Sequence, residues 1–222
     1  MREEEVSFSR DYFVEMDVRS EEAYELASEW FDEVVFTKKL VLESPPDWDS
    51  LKDELKELRG KYGKVAILLV TKKPSLIREV KNRNLKALIY VQGGDMRINR
   101  MAIESGVDAL ISPPWFGRKD PGFDHTLARM AARRGVAVGF SLSPLLNTNP
   151  YGRAQILRFM MKTWQLVRKY RVLRFLTSSA ESRWEVRGPR DLMSLGINMG
   201  MEIPEARASL NFYPRKILGK LG

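Results

Sequence analysis

Side chains able to break or make bonds are scarce in this chain. Its 222 residues contain no cysteine and a single histidine, His125. That removes thiolate catalysis, disulfides, cysteine-bound zinc and any site built on several histidines. Neither a G-x-x-x-x-G-K-[ST] phosphate loop nor a G-x-S-x-G elbow occurs. Asp124-His125 opens a helical pattern and has two readings. One is an acid–base pair. The other, which helix-start chemistry favours, is an N-cap aspartate followed by a first-turn histidine that bonds locally. Ser141, Ser143 and Ser178-Ser179 close apolar runs. With one distant histidine they read as helix caps or phosphate contacts rather than nucleophiles. Glu15, Asp17 and Asp108 lie near strand-like runs and leave an all-carboxylate magnesium site open. Asp108, however, falls at a strand's start, the face that serves stability. Gly93-Gly94 reads mainly as a turn, because Asp95 beside it would repel a phosphate. No catalytic residue and no metal ligand is assigned.

Cations are abundant instead, and unevenly placed. The formal charge is +8. Residues 1–60 carry 8 basic and 18 acidic side chains, and residues 61–222 carry 29 basic and 11 acidic. Such asymmetry suggests a polyanion-binding surface with a counter-charged flank, and nucleic acid is held mainly by phosphate neutralisation. A charge-rich surface of the thermophilic kind is the alternative. The basic residues recur just after apolar runs. Arg19 follows the first, Lys38-Lys39 the second, Lys72-Lys73 the third and Arg97 with Arg100 the fourth. Arg118-Lys119 follow the fifth, Arg153 and Arg158 the sixth, and Arg183, Arg187 and Arg190 the seventh. Trp115-Phe116 and Trp184 sit among them in expected loops. A loop aromatic beside arginine suits either an unpaired base or a protein partner. Trp164, Met160 and Met161 read as core or interface.

The elements that must carry these residues alternate in type. Strands are expected at Tyr12–Val18, Val34–Phe36, Val65–Val70, Ala87–Val91, Ala109–Ile111, Val136–Leu142 and Val172–Thr177. Helical spacing intervenes, as in Ala23, Leu26, Ala27 and Trp30 after Ser20, or Leu51, Leu55, Leu58 and Tyr62 before Gly63. Val65–Val70 is apolar throughout, as in a parallel strand covered on both faces. Seven strand–helix units with a weaker eighth position predict a compact single-domain α/β fold, a TIM-like (β/α) barrel over residues 1–222. An open doubly wound sheet is the rival, but the first turn, Asp17-Val18-Arg19-Ser20, lacks its glycines. Residues 1–10 and 213–222 are expected as flexible tails. In a parallel barrel every position following a strand lies on one rim, so the cations above predict a positively charged C-terminal rim.

Several stretches carry a family likeness. They are Phe123–Val136, Gly139–Leu146, Thr177–Ala180 with Glu181–Trp184, and Arg187–Leu192. In combination the chain resembles the archaeal ribonuclease P protein component 3 family, counterparts of the thirty-kilodalton subunit of the eukaryotic nuclear enzyme. The likeness runs from about Tyr12 to Phe212. It implies a (β/α) barrel acting as a protein subunit of a ribonucleoprotein that removes 5′ leaders from precursor tRNA. Catalysis there belongs to the RNA, which holds the Mg2+, and the protein itself carries no cofactor. It also implies a small α/β protein partner and an indirect relation to precursor tRNA. The family is similar in fold to polymerase-and-histidinol-phosphatase metal hydrolases, whose histidine ligands cannot be placed on a chain with His125 alone.

The expectation is therefore an RNA-binding subunit with no chemistry of its own. Its RNA-contacting residues are Lys38, Lys39, Lys72, Lys73, Arg97, Arg100, Arg118, Lys119, Arg153, Arg158, Arg183, Arg187 and Arg190. Two alternatives remain at this point. One is a metal- or phosphate-dependent, phosphoesterase-like barrel enzyme that uses the rim for a small phosphorylated substrate. The other is an assembly module whose acidic N-terminal region and loop aromatics bind proteins. No apolar run reaches the ~18 residues a membrane span needs, and the acidic N-terminus is no signal peptide, so a cytoplasmic location is expected.

Overall fold

A computed structural model describes residues 12–94, 96–111 and 120–221. The elements run β1 (Val14–Val18), α1 (Glu21–Trp30), β2 (Glu33–Val41), α2 (Trp48–Tyr62), β3 (Val65–Val70), α3 (Pro74–Asn82), β4 (Leu88–Gln92), α4 (Met96–Glu104) and β5 (Ala109–Ile111). Then come α5 (His125–Arg134), β6 (Ala137–Ser141), α6 (Ser143–Leu146), α7 (Pro150–Tyr170), β7 (Arg174–Thr177), α8 (Pro189–Asn198), α9 (Ile203–Ala208) and α10 (Phe212–Leu218). Short 3-10 turns occupy Arg183–Glu185 and Gly219–Leu221. The seven strands pair in chain order, each parallel to the next. The sheet curls into a nearly closed TIM-like barrel.

Closure of the barrel uses a turn rather than an eighth strand. The Val14 N–H donates to the Leu210 carbonyl at 2.8 Å, and the Leu176 N–H donates to the Ser209 carbonyl at 3.1 Å. The turn between α9 and α10 thus satisfies backbone groups that an open edge would leave bare. At the other end, Val18 and Ala180 form a parallel bridge. The weaker eighth position of the sequence pattern is this turn with its flanking helices.

The strand pattern separates two apolar layers. Ala66 and Leu68 face the barrel interior with Met16, Val35, Tyr90 and Phe175, while Ile67 and Leu69 join the sheet–helix layer. Period-two alternation buries both faces of β3. Small residues make room for large ones inside. A Cβ on Gly139 would lie 2.7 Å from the Phe175 ring and 2.8 Å from Ile111 Cδ1, so glycine there is a packing requirement.

Helix starts follow side-chain capping. Ser20 Oγ accepts from the Ala23 N–H at 3.3 Å, and Asn149 Oδ1 from the Gly152 N–H at 2.8 Å ahead of Pro150. Gly135 ends α5 at φ 65, the left-handed conformation that glycine adopts without a Cβ clash.

Two expectations need correction. Residues 213–221 are folded rather than a loose tail: α10 and the turn after it cover the barrel's N-terminal mouth, with Ile217 and Leu218 buried against the interior cluster. An open barrel end exposes apolar surface, and burying two such side chains is worth about 1.5–3 kcal/mol each. Arg174 helps hold this helix. Its guanidinium lies 4.1 Å from the Tyr213 ring and 4.9 Å from the Trp164 ring, and its Nε donates to Ser209 Oγ at 3.2 Å. The second correction is β2, which extends through Val41, so Lys38-Lys39 lie within the strand. Residues 1–10 lie outside the described residues.

Candidate nucleic-acid interface

All seven strands point the same way, so each segment that leaves a strand emerges on one face. That face holds the loop after β1, the end of β2, the β3–α3 and β4–α4 connections, the α6–α7 region after β6, and the segment after β7. At its centre is a cup of about 590 Å3 lined by Arg19, Lys39, Gln92, Ser141, Asn149 and Glu181 among others.

The floor of the cup is a charge network. Arg19 grips Asp17 with both arms, Nη2 to Oδ2 at 2.6 Å and Nε to Oδ1 at 3.1 Å, and reaches Glu181 Oε1 with Nη1 at 3.1 Å. Lys39 Nζ donates to the same Glu181 oxygen at 2.7 Å. Burial opposes the Arg19 charge, yet Asp17 and then Glu181 hold the guanidinium above its ordinary range. The Lys39 hydrogen bond, followed by that of Arg19, holds the Glu181 carboxyl below its own. Glu181 therefore joins the ends of β1 and β2 to the segment after β7. Glu185 plays a similar part nearby. It accepts from the Glu181 N–H at 3.0 Å, from Ser143 Oγ at 3.2 Å and from Asn147 Nδ2 at 2.8 Å.

Beneath them Glu15 is fully buried. Its carboxyl is pushed up to about 7 by burial, against the hydrogen bonds it accepts from the Thr177 hydroxyl, the Ser178 N–H at 3.0 Å and the Asp17 N–H at 3.2 Å. These bonds tie β1 to β7 across the barrel seam. The carboxylates in and beneath the cup, Glu15, Asp17, Glu181 and Glu185, are thus committed to neighbouring cations, hydroxyls, amides or backbone. Among the described residues no group of three or more His, Asp or Glu side chains is disposed to hold a metal ion. Asp124 caps α5 by accepting from the Leu127 N–H at 2.8 Å, and exposed His125 shares a 3.3 Å hydrogen bond with Tyr170 through Nδ1. The capping role anticipated for the pair is the one the geometry displays.

The anticipated cations divide into three groups. Lys72 and Lys73 are exposed at the start of α3, Arg97 and Arg100 on α4, Arg153 and Arg158 on the first turns of α7, and Arg190 on the first turn of α8. Arg183 is exposed beside Trp184, its guanidinium 5.9 Å from a ring that is 81% exposed. A second group is engaged inside the protein. Lys38 turns toward α2 and pairs with Glu54 at 2.5 Å, off the rim's mouth. Alternation explains this, since Lys38 pairs in register with outward Ile67 and Lys39 with inward Leu68. Arg187 is half-buried and clips the carbonyls of Trp184 and Val186 at 2.7 and 2.8 Å. Arg153, although exposed, also donates through Nε to the Leu145 carbonyl at 2.9 Å. Finally, Arg118, Lys119 and the aromatics Trp115-Phe116 lie outside the described residues. Glu181 and Glu185 were missed by the sequence reading. The available signal was two acids following Thr177-Ser178-Ser179 in an otherwise basic stretch.

Comparison with known proteins places this geometry. The family described as RNase P subunit p30 matches residues 28–221. Ribonuclease P protein component 3 of Thermococcus kodakarensis is 90% identical over 221 residues, covering 100% of each chain. Its namesake in Thermococcus gammatolerans is 80% identical, covering 96% of this chain and 99% of that one. Among solved structures, a chain in the cryo-EM structure of archaeal ribonuclease P with mature tRNA has a TM-score of 0.70 and 27% identity, covering 93% of this chain and 89% of that chain. An amidohydrolase crystal structure matches with a TM-score of 0.63 at 10% identity, covering 94% and 74%, a likeness of fold alone. With one barrel, one basic rim and sequence agreement along nearly the whole length, the chain belongs to the RNase P subunit p30 family.

Proposed function

We propose that the chain serves ribonuclease P by holding the catalytic RNA on its C-terminal rim, leaving hydrolysis of the precursor-tRNA leader to RNA-bound Mg2+. The observation that carries this reading is the rim itself. Exposed arginines and lysines, Lys72, Lys73, Arg153 and Arg190 among them, sit on the segments that follow the strands, and the cup's own carboxylates, Asp17 and Glu181, are already engaged by Arg19 and Lys39. Phosphate contacts from such side chains fix orientation without reading sequence, which suits a structured RNA recognised by shape. Cations placed between RNA helices lower their mutual repulsion and let the RNA close around its own metal ions. Membership in the p30 family supports the same reading, as does the likeness to a chain solved in an archaeal ribonuclease P that contains mature tRNA. Other protein subunits, in particular a small α/β partner, complete the particle, and contact with precursor tRNA is indirect. A cytoplasmic setting belongs to the same reading; separately, no described helix is long and apolar enough to cross a membrane.

Reconstitution tests the proposal. Precursor-tRNA cleavage is measured at limiting Mg2+ with the RNA and partner subunits present. Omitting the chain is expected to cut the rate at least tenfold, and the double variant Arg183→Glu/Arg190→Glu to recover only a small part of it. Restoration by high Mg2+ is expected in both cases, because added divalent ions replace the screening. A charge-reversed rim that leaves both the rate and RNA affinity unchanged would refute the assignment.

A further inference from the structure

The opposite end of the barrel carries a second basic concavity that the sequence pattern did not announce. A pocket of about 800 Å3 opens where strands β3 and β4 begin. Arg59, Lys64, Lys81, Lys86 and Lys220 line it, and Asp108 is the only carboxylate among its described lining residues. Four separate stretches supply the cations: the end of α2 with its turn into β3, the end of α3, the loop before β4, and the C-terminal 3-10 turn.

Asp108 does not neutralise this set. It accepts the Ile89 N–H at 2.8 Å, a structural bond at a strand's start, and pairs with Lys81 Nζ at 3.3 Å, which offsets one of the five cations. Lys220 Nζ donates to the Gly135 carbonyl at 2.6 Å, which fixes a cation without cancelling its charge. Among the described residues Lys64 has only Glu33, a loose 4.0 Å away, and Lys86 has no ion pair. Desolvation, reinforced by Lys81, holds the Lys220 ammonium below the usual lysine range even with Asp108 near. Crowded, partly desolvated like charges are a state that a bound anion relieves.

The pocket is also held in shape. Asn84 and Lys86 adopt left-handed backbone, φ 47 and φ 51, which side-chain-bearing residues seldom occupy. Arg59 Nη1 stabilises that loop by donating to the carbonyls of Leu85 at 3.1 Å and Lys86 at 3.4 Å. No aromatic side chain is among the described lining residues, so they offer a nucleobase no stacking surface.

We propose that this N-terminal-face pocket is a second RNA contact, taking a phosphodiester stretch of the RNA backbone on the side of the barrel opposite the rim. The inference rests on the RNA-binding reading above and deepens it: the barrel becomes a strut between two RNA segments. The cations lie on four stretches around a volume larger than a single phosphate fills, which suits a run of backbone phosphates.

Hydroxyl-radical footprinting and salt-titrated binding on the reconstituted particle test it. The probe is the catalytic RNA, and the variant is Lys64→Gln/Lys86→Gln/Lys220→Gln. One protected backbone segment is expected to become cleavable, distinct from the segment lost in Arg183→Glu/Arg190→Glu. The slope of log affinity against log salt is expected to shrink by about 2, since each phosphate contact contributes ~0.7–0.9. Lys86→Gln alone, a change at an exposed side chain, is expected to shrink it by about 1 and guards against a folding defect in the triple variant. Unchanged protection and slope in both variants would overturn the proposal, as would loss of the rim segment instead. Thermal stabilisation of the unmutated chain by inorganic phosphate, lost in the triple variant without any RNA footprint change, would mark a free-anion site and also overturn it. Failure of the broader reading looks different, because the unmutated chain would then protect no RNA at all.

Discussion

Glu15 shows how one residue couples barrel closure to pH. Its carboxyl accepts bonds from Thr177, Ser178 and Asp17 and has no cation partner among the described residues, so burial dominates and raises it from 4.5 to about 7. Between those two values the folded protein holds a proton that the unfolded chain has released. Stability therefore falls as pH rises through that window, by up to about 3 kcal/mol from this group. Below the window the contribution is level, and above it the full cost of the buried charge is present. Glu15→Gln removes the ionisation. The variant starts lower at pH 5, because one amide nitrogen must face a backbone donor. Its melting temperature is nevertheless expected to fall less between pH 5 and pH 8 than that of the unmutated chain. Thermal melts across that range check this, and parallel profiles would show that Glu15 ionises freely.

At the scale of elements, the parts legible in the sequence were those with strong local chemistry. Strand β3 announced itself as six consecutive apolar residues, and α5 through Asp124 at one end and Gly135 at the other. What stayed hidden was set by tertiary contact. The two lysines of β2 look like a strand end, yet pairing with β3 continues through Val41. The Ser209-Leu210 turn has no strand pattern because it closes the barrel through backbone groups that any sequence possesses. Helix α10 falls largely in the stretch expected as a flexible tail, and only the barrel mouth beneath it gives Ile217 and Leu218 a surface to cover. The cations of the rim were visible as a repetition after strands, whereas the pocket on the other face draws residues from positions that share no repeat. The plug leads to a direct expectation. Ile217→Ala is predicted to cost about 2–4 kcal/mol, a fall of roughly 5–15 °C in melting temperature for a chain of this size. A shift under about 2 °C in calorimetry would mean that α10 is not part of the cooperative core.

The whole molecule is electrically polarised. Acidic residues such as Glu21, Glu22, Asp49 and Asp53 sit exposed on α1 and α2, while Lys72, Arg97, Arg100 and Arg190 are exposed around α3, α4 and α8, elsewhere on the barrel's circumference. A field of this kind orients an approaching polyanion before contact and disfavours the acidic sector as a landing surface. On the proposed reading, exposed rim cations act by displacing counterions from RNA, so their effect is tied to ionic strength. A protein that neutralises six to ten phosphates loses about 10³–10⁵ in affinity between 50 and 200 mM salt. The exposed cations of the rim and of the opposite pocket are together enough for that range. Binding of the catalytic RNA is therefore expected to weaken at least a hundredfold over the same interval. If base stacking on Trp184 were the main attraction instead, Trp184→Ala would abolish binding while salt changed it less than threefold. Filter binding across a salt series with both proteins separates the two: the electrostatic account predicts a steep slope in each, shifted by no more than about tenfold in affinity by loss of the ring.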